Sequence, residues 1–234
     1  MTIPCITIDG PAGVGKGTVT QRLVQASGWH YLNSGVLYRL VGIQAQRSGV
    51  EFSDQQAITD LASQLQARFT LDDQGSRVWL GNDDVSDEMI TEQTGAGASR
   101  VAAIGAVRLA LLQRQRDFLQ LPGLIAEGRD MGSVVFPDAP LKIFLDANAE
   151  TRADRRYKQL KNSGSDDSLR AVLTEIRSRD KRDRERSVSP LIPAEDAILI
   201  DTTVLTVDQV VNRVYGLCDE RQLFVTNIGS LNQQ

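Results

Sequence analysis

The sequence is poor in the residues on which many enzyme classes depend. Its 234 residues contain one histidine, His30, and two cysteines, Cys5 and Cys218. A single histidine argues against a multi-histidine metal centre and against a serine-type catalytic triad. The cysteines have neither CxxC nor metal-ligand spacing, so we expect both to be buried free thiols in a reducing cytoplasm.

Long apolar runs are also lacking. No run reaches the roughly 18 residues that a membrane-spanning helix needs, and the first nine residues lack the charged and apolar regions of a signal peptide. Hydrophobic residues make up 41% and charged residues 24% of the chain, as in soluble globular proteins. We therefore expect a soluble, cytoplasmic protein with one core domain, no membrane partner and room for an inserted lobe.

Lysine is scarce, whereas arginine is abundant. There are five lysines and 21 arginines, many of the latter between residues 152 and 186. The net charge of −4 gives the whole surface no nucleic-acid footprint. Arginine's planar fork binds phosphate through two hydrogen bonds. Taken alone, however, the cluster is explained as well by a solvated helix face, because acidic residues are interleaved with it.

Five short apolar runs predict the buried parallel strands of an α/β fold. They span residues 5–8, 30–32, 123–126, 141–145 and 197–200. Strands that alternate with helical patterns predict a doubly wound sheet, in which ligands bind beyond the carboxyl ends of the strands. The polar residues that follow the runs are therefore the candidates for ligand binding: Asp9-Gly10, Asn33-Ser34-Gly35, Gly128-Arg129-Asp130, Asp146 and Asp201-Thr202.

The stretch from 36 to 121 interrupts this alternation. It shows helical patterns at 36–47, 54–66 and 98–120, and a hairpin pattern at 68–71 and 77–80 around Asp72-Asp73-Gln74-Gly75. We expect an insertion over one end of the sheet. Farther on, charged helices are expected at 150–161 and 168–187, joined by a polar loop at 162–167.

The strongest motif is a phosphate-binding loop. Its residues are Gly10-Pro11-Ala12-Gly13-Val14-Gly15-Lys16-Gly17-Thr18, and they lie between the first strand and a helical pattern, as such a loop requires. Glycines let the backbone wrap with its N–H groups turned inward, and the helix presents its positive end to the same phosphates. Lys16 is predicted to reach the β- and γ-phosphates of ATP, and Thr18 is a candidate ligand of Mg²⁺. A glycine-rich turn with a surface lysine is the alternative.

Three further strings follow in order along the chain. Asn33-Ser34-Gly35-Val36-Leu37-Tyr38-Arg39 comes after the second run, and the string from Gly128 to Asp138 comes after the third. The last string runs from Arg179 to Leu191. Gly17 stands where many phosphate loops have Ser or Thr, and this Gly-Lys-Gly-Thr variant resembles the loop of nucleoside monophosphate kinases. No Asn-Lys-x-Asp string supports a GTPase. Together with the loop, these strings resemble bacterial cytidylate kinases over nearly the whole chain.

The resemblance implies a P-loop kinase core with a five-stranded parallel sheet at 1–35, 122–149 and 166–234. It also implies a nucleoside-monophosphate lobe at 36–121 and a short lid at 150–165. The implied reaction transfers the γ-phosphoryl group of ATP, with Mg²⁺, to CMP or dCMP in a protein that we expect to be monomeric. Two departures from the family are Asn33, where aspartate is usual, and Ser189, where alanine is common and which we expect to be neutral.

Site residues follow from the resemblance by position. The implied ATP site comprises residues 10–18 with Arg155 and Arg156 of the lid. The implied acceptor site comprises Ser34, Arg39, Ser99, Arg108, Arg129, Asp130, Arg179, Asp183 and Arg186. The implied catalytic residues are Lys16, Arg129 and Arg179. Independently of the family, the spacing of Arg179, Asp183 and Arg186 predicts one shared helix face.

The acceptor is already an anionic phosphate oxygen, so no general base is required. In-line positioning and charge neutralisation remain as the tasks of the protein. Two alternatives stay open: a small-acceptor P-loop kinase that acts on UMP and CMP or on a metabolite such as shikimate, and an NTP-gated module whose arginines hold nucleic acid. The acidic net charge counts against the second.

Overall fold

The computed structural model describes residues 3–72, 75–162 and 166–224. Within them the strands are β1 Cys5–Asp9, β2 His30–Asn33, β3 Ala67–Asp72, β4 Gly75–Leu80, β5 Asp83–Asp84, β6 Leu124–Gly128, β7 Leu141–Asp146 and β8 Ile198–Asp201. The helices are α1 Lys16–Ser27, α2 Ser34–Arg47, α3 Gln55–Ser63, α4 Glu92–Val101, α5 Gly105–Arg116, α6 Ala149–Asn162, α7 Leu169–Glu185 and α8 Val207–Glu220. A short π-helical segment spans Met131–Val135.

The chain divides into two compact units. The sheet unit comprises residues 1–32, 116–185 and 189–234, and the insert unit comprises residues 33–115 and 186–188. The assignment of 36–121 as a nucleotide lobe and of 150–165 as a lid stays a prediction. Residues 163–165 of that lid, and residues 73–74 of the predicted hairpin, lie outside the described residues.

The predicted parallel sheet is confirmed. Its strand order is β2-β6-β1-β7-β8, and each of the five predicted apolar runs overlaps one of these strands. Asp9 pairs in register with Gly128 and with Phe144, and Asp146 pairs with Asp201. The polar residues that end the strands therefore line up at the carboxyl edge of the sheet, where α/β proteins bind ligands.

Apolar side chains from the strands and the flanking helices fill the core of the sheet unit. Ile6, Ile8, Ile125, Leu23 and Val214 are among its fully buried members. Burial from both faces explains why these strands read as continuous apolar runs rather than as alternating patterns. Cys5 and Cys218 are both buried free thiols, as predicted, and burial raises the pKa of each to about 12.

The insert unit contains a three-stranded antiparallel sheet in the order β3-β4-β5. The predicted hairpin is confirmed, with Ala67 opposite Leu80, and the Arg68 guanidinium lies 4.4 Å from the centroid of the Trp79 ring. Helices α2 and α4 approach closely at Gly42, where an added Cβ would lie 3.5 Å from the backbone of Gly97.

The helix predicted at 98–120 is wrong, because the chain breaks between α4 and α5. The two segments meet at 99°. Gly105 begins the second helix at a close approach, where a Cβ would lie 3.1 Å from the Val188 side chain. Arg108 also donates from Nη1 to the Ala102 carbonyl (3.3 Å), which the break leaves without its helical partner. In the part of the chain that the structure describes, no single helix is long and apolar enough to cross a membrane, although this bent pair meets the length and composition criteria together.

Candidate active site

The glycine-rich string forms a tight loop between β1 and α1. Gly10 has a φ of +145°, and an added Cβ there would lie 2.1 Å from the Leu145 carbonyl oxygen, so only glycine fits. Gly15, in the left-handed region with a φ of +94°, precedes the first residue of α1. Thr18 is exposed in the first turn of that helix. The loop therefore has the strand-to-helix setting of a phosphate site, with the positive end of α1 at its close.

Lys16 folds over its own loop. Its Nζ donates to the carbonyl oxygens of Gly10 and Pro11, both at 2.8 Å. Burial holds the pKa of Lys16 well below its usual value, and repulsion by the nearby Arg129 and Arg179 guanidinium groups lowers the pKa further. Three cations therefore share one electrostatic neighbourhood beside the loop, an arrangement that suits a polyanionic ligand.

Asp183 connects two of the predicted acceptor residues. Its Oδ2 accepts from Arg129 Nε at 3.0 Å and lies 3.9 Å from Arg179 Nε. Arg179 and Asp183 are four residues apart on α7 and lie on one face, as predicted. Helix α7 ends at Glu185, so Arg186 lies one residue beyond it and belongs to the insert unit, which corrects the predicted three-residue helix face.

Asp130 is buried where β6 gives way to the π-helical segment. Its carbonyl oxygen accepts from the N–H groups of Val134 (3.0 Å) and Val135 (3.2 Å). Next to it, the carboxylate of Asp9 accepts from the N–H groups of Met131 (2.9 Å) and Gly132 (2.8 Å). The turn that carries Arg129 and Asp130 is thus tied to the last residue of β1.

Glu127 is a site residue that the sequence reasoning missed. Its Oε1 accepts from the Tyr31 hydroxyl (2.6 Å), and its Oε2 accepts from the Thr20 hydroxyl (3.3 Å). Both oxygens lie 3.9 Å from the position of a Cβ at Gly17, and the carboxylate attracts the Lys16 ammonium. The predicted apolar run ends at Ala126, whereas the strand continues to Gly128, so Glu127 lies within the strand and not in the polar segment that follows it.

The arginines of α6 have different environments. Arg152 is 2% exposed. Its Nε donates to the Ala147 carbonyl (2.9 Å), and its Nη1 donates to the Ala12 carbonyl in the phosphate loop (3.2 Å). Both Nη atoms also donate to the Asp180 carboxylate. Arg155 donates to the hydroxyl (3.1 Å) and the carbonyl oxygen (2.6 Å) of Thr202, whose hydroxyl in turn donates to the Val14 carbonyl (3.3 Å).

Arg155 is therefore connected to the phosphate loop through Thr202, whereas Arg152 contacts the loop directly. Arg156 lies half-buried near Gln159, with 3.5 Å between its Nη1 and Oε1. Contact of Arg155 and Arg156 with ATP stays a prediction. The direct hydrogen bond from Arg152 to the loop was not foreseen, because it joins residues 140 positions apart.

Five of the predicted acceptor residues lie in the insert unit. Ser34 begins α2, Ser99 lies in α4, and Ser34, Ser99, Arg108 and Arg186 are all buried. The Arg108 guanidinium carbon lies 5.3 Å from the centroid of the Tyr38 ring. Arg39 donates to the carbonyl oxygens of Met89 (2.6 Å) and Thr91 (3.4 Å). Buried polar and cationic side chains of this kind can discriminate ligands by hydrogen bonding.

Asn33, where the family usually has aspartate, ends β2 and precedes α2. Its side chain gives α2 no hydrogen-bonded cap. An added Cβ at Gly35 would lie 3.1 Å from the Asn33 Oδ1 atom. The neutral amide therefore packs against the start of the helix and brings no negative charge to Ser34.

Comparisons with known proteins identify one family. A family model described as cytidylate kinase matches residues 6–220. The chain is 54% identical over 222 residues to a cytidylate kinase of Pseudomonas aeruginosa (strain LESB58), covering 94% of this chain and 96% of the other. It is 51% identical to that of Stutzerimonas stutzeri (strain A1501), covering 94% and 97%, and 50% identical to that of Aeromonas salmonicida (strain A449), covering 93% and 95%.

Proposed function

The chain belongs to the cytidylate kinase family, and we propose that it transfers the γ-phosphoryl group of ATP to CMP or dCMP. The products are ADP and CDP or dCDP. The similarity covers almost the full length of both proteins in each pair, so it includes the phosphate loop and the insert unit alike. A metabolite kinase, the alternative that the sequence left open, is not favoured by these relatives.

One observation carries the proposal: the cluster of Lys16, Arg129 and Arg179 beside the glycine-rich loop. Burial is the largest cause of the lowered pKa of Lys16, and repulsion by Arg129 and Arg179 lowers that pKa further. A bound polyphosphate offsets that repulsion, and the offset is largest when charge develops on the transferred group. The cluster is therefore suited to phosphoryl transfer rather than to binding a neutral metabolite.

The proposed division of labour follows from the contacts of each residue. The loop N–H groups and Lys16 hold the β- and γ-phosphates of ATP, and Arg129 and Arg179 hold the acceptor phosphate. Asp183 orients both arginines, through a hydrogen bond to Arg129 and an ion pair with Arg179. No general base is needed, because the nucleophile is an anionic phosphate oxygen.

Base selection is proposed to depend on the insert unit. A cytosine site needs a hydrogen-bond acceptor near N4 and a donor near N3 and O2. The buried Ser34 hydroxyl supplies an acceptor, and the buried Arg108 guanidinium supplies donors. Uracil reverses the pattern at positions 3 and 4, so it would set N3–H against a guanidinium. The roles of Asp130 at N4, and of Arg39, Ser99 and Arg186 at the acceptor, stay predictions.

Mg²⁺ is the metal that this chemistry implies. The ion is usually held by few protein groups and by substrate phosphates. Thr18 fits such a role, because its side chain is exposed at the start of α1, close in sequence to Lys16. The buried Glu127 carboxylate, beside Gly17, adds the negative charge that a cation requires. When bound, the ion would neutralise charge on the phosphate oxygens.

The proposal is tested by ADP release from ATP and Mg²⁺ against a panel of acceptors. We expect rapid release with CMP and dCMP, slow release with UMP, and almost none with AMP, GMP or shikimate. Equal use of CMP and UMP would replace the assignment with a broader pyrimidine kinase. Release with shikimate alone would replace it with a metabolite kinase.

A further inference from the structure

A buried carboxylate joins the strand before the phosphate loop to the turn that carries the acceptor arginine. Asp9 is the last residue of β1 and is 6% exposed. Its Oδ1 accepts from Met131 N at 2.9 Å, and its Oδ2 accepts from Gly132 N at 2.8 Å. One oxygen thus serves each N–H group, a pattern that only an ionised carboxylate satisfies fully.

The two N–H groups belong to a segment whose position matters for the proposed reaction. Met131 and Gly132 begin the π-helical turn, directly after Arg129 and Asp130. The turn has little freedom on this side, because a Cβ at Gly132 would lie 2.8 Å from the Thr7 hydroxyl oxygen and 3.2 Å from the Lys142 side chain. The two hydrogen bonds to Asp9 hold the start of this closely packed turn, so loss of one of them would displace the turn and, with it, Arg129.

Several charged groups surround this carboxylate. Lys16 attracts it and Asp130 repels it. Around Lys16 lie Glu127, Arg129 and Arg179. The Lys142 side chain lies beside Gly132 through its methylene groups, and its ammonium binds the Asp196 carboxylate (2.8 Å). Burial is the largest influence and raises the pKa of Asp9 to about 6; the two N–H groups oppose it, and Asp130 reinforces it.

We propose that Asp9 is a positioning residue for phosphoryl transfer, whose ionised carboxylate fixes the turn of Arg129 relative to the phosphate loop. The inference rests on the proposed function, since Arg129 is assigned there to the acceptor phosphate. Protonated Asp9 resembles asparagine: it keeps one accepting oxygen and turns a donor toward the second N–H group. Protonation therefore removes one of the two hydrogen bonds that Asp9 accepts from the start of the turn. Activity should therefore rise with pH as Asp9 ionises.

Ionisation of Asp9 has the opposite effect on stability. An acid whose pKa is raised by folding stabilises the folded state most in its protonated form, and that contribution is lost as the pH rises through the raised pKa. A carboxylate that served only the fold would make activity follow stability. A positioning carboxylate makes the two change in opposite directions between about pH 5 and pH 7.

The test compares Asp9→Asn with the unmutated protein, with Asp138→Asn as a matched control. Asp138 is exposed a few residues after the same turn. The quantity is the ratio of kcat/KM for CMP, variant to unmutated protein, from pH 5 to pH 8. Protonation of the CMP phosphate cancels in this ratio. We expect Asp9→Asn to be about tenfold or more below the unmutated protein at pH 8, as for a lost charged hydrogen bond, and to approach it near pH 5. The same ratio for Asp138→Asn should stay near one from pH 5 to pH 8.

A ratio for Asp9→Asn that is constant with pH would overturn the proposal. A second measurement covers the case in which this variant does not fold. In the unmutated protein, the amide proton shifts of Met131 and Gly132 should titrate together with a midpoint near 6, and no titration of either would also overturn it. Turnover of another acceptor by the unmutated protein would refute the proposed substrate alone, and the same ratio is then taken with that acceptor.

Discussion

Replacement of Arg152 by methionine should destabilise the sheet unit strongly. The change removes both hydrogen bonds to the Asp180 carboxylate, together with those to the Ala147 and Ala12 carbonyl oxygens. The side chain of Arg152 is 3% exposed and that of Asp180 is 14% exposed, so the carboxylate is left largely buried without its partner. Breaking one side of a buried ion pair costs about 3–5 kcal/mol. We expect Arg152→Met to lose that much free energy of unfolding.

The assay is urea denaturation followed by circular dichroism, with Arg152→Met/Asp180→Leu as the matched control. Because the double variant leaves no buried charge unpaired, it should recover most of the loss. A loss below about 1 kcal/mol for Arg152→Met, or a double variant no more stable than the single one, would refute the reasoning. Arg152→Met should also weaken ATP binding, since Ala12 lies in the phosphate loop.

Four further predictions concern charge and specificity. Lys16→Met should abolish phosphoryl transfer and leave the unfolding curve almost unchanged. Arg129→Ala and Arg179→Ala should each lower kcat/KM for CMP by at least about tenfold with little change in ATP affinity. Weakened ATP binding alone would assign those arginines to the donor site. Arg108→Met should lower the CMP-to-UMP ratio of kcat/KM, and an unchanged ratio would exclude it from base selection. Because the pKa of Asp9 is raised to about 6, the stability of Asp9→Asn relative to the unmutated protein should increase by about 2 kcal/mol from pH 4 to pH 7. Denaturation at both pH values measures this change, and no increase would contradict the raised pKa.

The sheet and the phosphate loop could be predicted because local chemistry determines them. Strands buried on both faces read as apolar runs, and glycines at 10, 13 and 15 before Lys16, between a strand and a helix, form the motif of a phosphate-binding loop. The Asp183 contacts with Arg179 also follow from helix periodicity, since the two residues are four apart.

Long-range contacts could not be predicted in the same way. The ion pair of Arg152 with Asp180 and the hydrogen bonds of Arg155 to Thr202 join residues 28 and 47 positions apart. The break between α4 and α5 left little trace in the sequence, because its residues are compatible with a helix and only Gly105 marks the close approach to Val188. Glu127 was overlooked because a buried acid at the end of an apolar run looks like the first residue of a loop.

The most direct test of phosphoryl transfer to CMP is to identify and count the products of one reaction. Purified protein is incubated with ATP, Mg²⁺ and CMP, and the nucleotides are separated and quantified over time. The proposed reaction predicts that CDP and ADP appear in a one-to-one ratio from the first time point. ADP without CDP would mean that water or another group accepts the phosphoryl, and would contradict the account.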